Sequence, residues 1–87
     1  MLKRDLKIIN KAGIHARPAG MIAQTASGFD SEIKIIKDGY EINAKSIMGI
    51  MTLAASCGTI LTLIINGRDE EEAMQALVKL FEDGFGE

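Results

Sequence analysis

Apolar and polar side chains alternate over residues 2–9, with Leu2, Leu6 and Ile8 on one side and Lys3, Asp5 and Lys7 on the other. This two-residue period predicts a half-buried strand, although Arg4 interrupts its apolar row. Residues 10–14 then form a loop, and from Ala16 to Ser27 the period changes. Ala19, Ile22, Ala23 and Ala26 share one face while Arg17, Gly20, Met21 and Gln24 share another, which predicts a helix with the first face inward and the second outward. Pro18 suits its first turn, where a missing N–H costs nothing.

Residues 32–37 and 40–43 read as two strands, and Asp38-Gly39 between them suits a two-residue hairpin turn with positive φ. Residues 47–54 are almost wholly apolar and follow Ser46, whose hydroxyl can accept an orphan backbone N–H, so a short helix is expected there. Residues 59–65 are rich in β-branched side chains and end at Asn66-Gly67, the pattern of a strand flanked by others in a sheet. Asp69 and Glu72 have the spacing of a capping box. Ala73, Met74, Ala76, Leu77, Leu80 and Phe81 follow at helical spacing until Gly84 stops the helix. The order βαββαβα fits a two-layer α+β fold with helices on one face of a mainly antiparallel, four-stranded sheet.

Length and charge narrow the possibilities. Eighty-seven residues suffice for one domain, 1–87, and leave little room for a deep enclosed cleft. Ten basic and twelve acidic residues give a net charge of -2, so general affinity for nucleic acid or anionic membrane has no electrostatic basis. The single cysteine, Cys57, cannot form an internal disulfide, and no metal-ligand spacing accompanies it; neither a metal nor a cofactor is expected. No signal-peptide pattern or membrane-length apolar run is present, which points to a cytoplasmic protein without membrane insertion; a monomer is expected.

One stretch does more than pack: Gly13-Ile14-His15-Ala16-Arg17-Pro18-Ala19. It sets the only imidazole of the chain at a helix start, where the first N–H groups lack intrahelical partners and the dipole favours anions. A phosphate on a ring nitrogen of His15 would meet the amides of Ala16 and Arg17, with the Arg17 guanidinium beside it. Taken alone, such a histidine is more often a capping or surface residue; its neighbours favour phosphoryl chemistry. A hydrolytic triad has no support, because Ser27, Ser31, Ser46 and Ser56 lie in no nucleophile-elbow motif.

Residues 13–19, GIHARPA, together with NAKSIMGIM at 43–51 and the βαββαβα order, resemble the HPr family of histidine-containing phosphocarriers in the bacterial phosphoenolpyruvate-dependent sugar phosphotransferase system. The resemblance spans essentially the whole chain. It implies an open-faced β-sandwich of four antiparallel strands under three helices. It also implies that His15 accepts a phosphoryl group at Nδ1 from phospho-enzyme I and passes it to enzyme IIA, with Arg17 stabilising the phosphate. Such a protein is a stoichiometric carrier and not a stand-alone catalyst.

The resemblance further implies that Ser46 is a target of HPr kinase/phosphorylase, slowing transfer through the histidine and recruiting a catabolite-control transcription factor. A phosphate there would sit favourably at a helix N-terminus and act by charge without unfolding the helix. In the following segment Ile50 and Leu53 are assigned inward. Ile47, Met48 and Met51 then form a surface patch near Gly20, Met21 and Gln24, suited to docking more than one partner because methionine adapts its shape. Ala12 and Gln24 depart from the family's common pattern: Ala12 offers the phosphate only its backbone, and Gln24 adds no charge to docking. A regulatory binding module acting mainly through phospho-Ser46 is the competing reading.

Overall fold

The computed structural model describes all 87 residues. In chain order the elements are β1 (Leu2–Lys7), α1 (Ala16–Ser27), β2 (Glu32–Lys37), β3 (Tyr40–Asn43), α2 (Ile47–Thr52), β4 (Ile60–Asn66) and α3 (Glu70–Glu82), followed by a 3₁₀ turn at Gly84–Gly86. The strands form one sheet in the order β1-β4-β2-β3, with every neighbouring pair antiparallel. β4 is therefore central, as its β-branched sequence predicts. The three helices pack on one face, giving the open-faced α+β arrangement.

Register explains the core. Leu6 lies opposite Leu61, and Ile33 and Ile35 lie opposite Ile65 and Leu63, so alternation sends all six to the helical face, where they are buried. Ala19, Ile22, Ala23 and Ala26 of α1 and Ala73, Met74, Leu77, Val78 and Phe81 of α3 close over them. Each large aliphatic side chain removed from water there contributes about 1.5–3 kcal/mol. The closest backbone approaches of α1 are to α2 and α3.

The Asp38-Gly39 turn adopts φ of 50° and 80°, the positive values that a type I′ hairpin requires. Other boundaries differ from expectation. β1 ends at Lys7; Ile8 is fully buried, while Ile9 turns half outward. α2 spans only six residues, with Leu53 as its C-cap, because Ala54 enters the left-handed region at φ 49°.

The capping box at α3 does not form. Asp69 occupies the N-cap position without a side-chain cap bond. Its carboxylate accepts instead from the backbone N–H of Asp30 and Ser31, at 2.9 and 3.0 Å, and from the Ser31 hydroxyl. Glu70 reaches back to accept from Gly67 N–H at 3.1 Å. A tertiary bond to the α1–β2 loop has displaced a local one.

The last residues also exceed expectation. Gly84 does end α3, but Phe85 then turns back with φ 59° and is fully buried. Its ring meets Phe81 edge on, with centroids 5.0 Å apart.

Candidate functional site

His15 is the N-cap residue of α1, with extended backbone angles of -124° and -168°. Its side chain does not cap the helix. The Ala16 and Arg17 amides consequently find no acceptor within the chain, and Pro18 has no N–H to offer. The first intrahelical bond runs from Ala19 N–H to the His15 carbonyl at 2.9 Å. The imidazole is 44% exposed, so a partner can reach it, and Arg17 is exposed beside it.

The loop that carries His15 is held from behind. Gly13 has φ 69°, and Ile14 donates its N–H to the Ala55 carbonyl at 2.8 Å. Ile14 itself is buried. Asn10, also buried, donates to the Gly13 carbonyl at 2.8 Å. Backbone and buried side chains thus fix the position of the exposed ring.

One neighbour lies 72 residues away in the chain. Nε2 of His15 stands 2.8 Å from Oε2 of Glu87, while Oε1 of the same carboxylate accepts from Asn10 Nδ2 at 2.8 Å. The hydrogen bond from Asn10 holds the Glu87 carboxyl below the usual carboxylate range, helped by the bond to His15 and the charge of Arg17 against partial desolvation. Sequence reasoning missed Asn10 and Glu87. The available signal was Phe85 between two glycines, four residues after Phe81, a pattern able to fold the tail back onto the core.

The outward face of α1 and the start of α2 line a shallow groove. Ala16, Arg17, Gly20, Met21, Gln24 and Ile47 all face it, so most of the predicted docking residues come together beside His15. Lys45 joins them, an unpredicted cation whose Nζ donates to the Phe29 carbonyl at 2.7 Å. Ile47, Met48 and Met51 are 48%, 75% and 40% exposed, as the surface-patch assignment requires; the two methionines lie on α2 outside the groove lining. Ile50 and Leu53 point inward. Ser46 is the N-cap of α2, its Oγ accepting from Gly49 N–H at 3.0 Å. No group of three or more His, Cys, Asp or Glu side chains has metal-binding geometry, and no helix is long and apolar enough to cross a membrane.

Fold and site together define a small α+β protein that presents one histidine at the open end of a helix. Residues 2–83 match the family model of the PTS HPr component phosphorylation site. The chain is 47% identical over 87 residues to the phosphocarrier protein HPr of Treponema pallidum, covering all of this chain and 99% of that protein. It is also 47% identical over 77 residues to the HPr-like protein Crh of Bacillus subtilis, covering 88% of this chain and 91% of that one. HPr from Thermoanaerobacter tengcongensis superposes with a TM-score of 0.96 at 53% identity, over all of this chain and 98% of the other; that protein has also been solved as a dimer. The chain belongs to the HPr family of phosphocarrier proteins of the phosphotransferase system.

Proposed function

We propose that this protein takes a phosphoryl group from phospho-enzyme I onto Nδ1 of His15 and delivers it to enzyme IIA domains of sugar permeases in the cytoplasm. The observation that carries this reading is the half-exposed imidazole at the N-terminus of α1, beside two unpartnered amides and an exposed guanidinium. The Ala16 and Arg17 amides and the Arg17 side chain hold the phosphate. Gly20, Met21, Gln24, Ile47, Met48 and Met51 receive the donor and acceptor proteins. The protein is consumed and regenerated stoichiometrically as a phosphohistidine form, and turnover belongs to its partners.

Incubation with phosphoenolpyruvate and enzyme I should place an acid-labile label on the protein, and His15→Ala should take none. A labelled His15→Ala protein would sink the reading.

A second reading has its own support. Ser46 caps α2 through its hydroxyl, and the chain is similar to Crh, described as the catabolite repression HPr of Bacillus subtilis. In this reading HPr kinase/phosphorylase modifies Ser46, and the phosphoserine protein binds a catabolite-control transcription factor. ATP and the kinase should then give an acid-stable label that Ser46→Ala abolishes; an unlabelled wild-type protein would refute it.

A further inference from the structure

We propose that Lys37 is a positioning residue for partner docking, its ammonium pinning the C-terminal end of α2 so that Ile47, Met48 and Met51 are presented in a single orientation. The inference rests on the reading of those side chains as a docking surface and extends it to the end of β2.

α2 has only six residues, fewer than two turns, and a helix so short persists only with tertiary support. Ile50 is its one buried side chain, while Ile47, Met48 and Met51 face solvent. Its ends therefore decide its orientation. At the start, Ser46 Oγ accepts from Gly49 N–H, and Ile50 N–H donates to the Ser46 carbonyl at 3.0 Å. At the other end the Gly49 carbonyl accepts from Thr52 Oγ1 at 2.6 Å. The Ile50 and Met51 carbonyls accept from the N–H groups of Leu53 and Ala54 at 3.1 and 3.2 Å. These bonds are all local. The bond that ties this end to another element comes from Lys37, whose Nζ donates to the Leu53 carbonyl at 2.9 Å. The Leu53 side chain is itself buried, so core contact and a charge-assisted bond fix the same residue.

The alternation of β2 puts the lysine there. Ile33 and Ile35 are buried on the helical face, and Lys37 follows two residues later on the same side. Its stem is half-buried, and the ammonium escapes the apolar row by reaching the end of α2. A cation beside the last carbonyls of a helix is favourable. Lys37 joins no ion pair within the chain, so no carboxylate competes for it. The backbone that carries it is stiff, because Lys37 pairs with Tyr40 across the Asp38-Gly39 turn. Lys37, Tyr40, Thr52 and Leu53 line a separate hollow, and none of the four lines the α1–α2 groove. The influence of Lys37 on docking therefore runs through the setting of α2.

Lys37→Met keeps the stem and removes the ammonium, whereas Lys37→Arg keeps a cationic donor. With the protein as the varied substrate of enzyme I and phosphoenolpyruvate, KM should rise about fivefold in Lys37→Met while kcat stays within about twofold. Lys37→Arg should remain near the wild-type KM. Amide hydrogen exchange at Leu53 and Ala54 should quicken about tenfold in Lys37→Met, with α1 and α3 unchanged. An unchanged KM in a protein where Met48→Glu does raise it would overturn the role of Lys37 alone. A raised KM with unchanged exchange would also overturn it, since the lysine would then meet the partner directly. Exchange that quickens equally across the whole chain would reduce Lys37 to a general stabiliser. If neither Lys37→Met nor Met48→Glu moves KM, the reading of the docking surface itself falls.

Discussion

Gly13 stands two residues before His15 with φ 69°, and a Cβ there would lie 2.7 Å from the Ala55 carbonyl oxygen and 2.9 Å from the Ser56 Cα. Both obstacles are backbone and cannot swing aside. Left-handed geometry and the clash both oppose a side chain, so Gly13→Ala should lose about 2–4 kcal/mol in urea unfolding. A loss below about 1 kcal/mol would mean that the loop relaxes freely. The same glycine presents the carbonyl that Asn10 grips, which makes it a support of the histidine and not merely a turn residue. Ser46 has a lighter structural duty. Its Oγ accepts a single N–H, from Gly49, and Ser46→Ala should reduce stability by about 1 kcal/mol, measurable by thermal melting without any kinase.

Six residues of α2 divide their apolar side chains sharply, with Ile50 fully buried and Met48 75% exposed. Met48→Glu should therefore leave the melting temperature nearly unchanged while raising KM for phosphorylation by enzyme I about tenfold, the effect of losing a central contact. An unchanged KM would remove Met48 from the docking surface. At α3 the issue is electrostatic. Asp69 is held below the ordinary carboxylate range chiefly by the Ser31 hydroxyl, then by the Asp30 N–H, and Glu70 is lowered chiefly by Gly67 N–H. A carboxylate lowered in the folded state binds fewer protons than in the unfolded chain, so its stabilisation is present at neutral pH and lost on acidification through the folded-state value. The melting temperature should hold down to about pH 5 and fall below it, with a shallower fall in Asp69→Asn. An identical acid profile would dismiss Asp69 as a contributor. Its real bonds were hidden from the sequence because Asp69 and Glu72 meet the local spacing of a cap, while the competing donors lie 39 and 38 residues away. α1 and the β2–β3 hairpin were legible because their signals are local and agree with their packing.

Across the whole molecule, the legible part of the site is the part written contiguously. His15, Arg17 and Pro18 announce a helix start within four adjacent residues, and the α1–α2 patch follows from having more apolar surface than the sheet can cover. Glu87 and Asn10 were silent because their meeting depends on Phe85, whose positive φ breaks the helical period on which the prediction of α3 relies. The burial of Phe85 against Phe81 thus joins the core to the histidine. Phe85→Ala should cost about 3–5 kcal/mol in urea unfolding, a large share of the stability of a domain this small. Phe85→Leu keeps most of the apolar contact and should cost less. At low temperature, where both variants remain mostly folded, the difference should extend to His15. Phe85→Ala loosens the tail that sets Glu87 beside His15 and should slow phosphoryl transfer, whereas Phe85→Leu should stay near the wild-type rate. If Phe85→Ala loses stability but transfers at full rate, the packed tail serves the core alone and the carboxylate reaches the ring without its help.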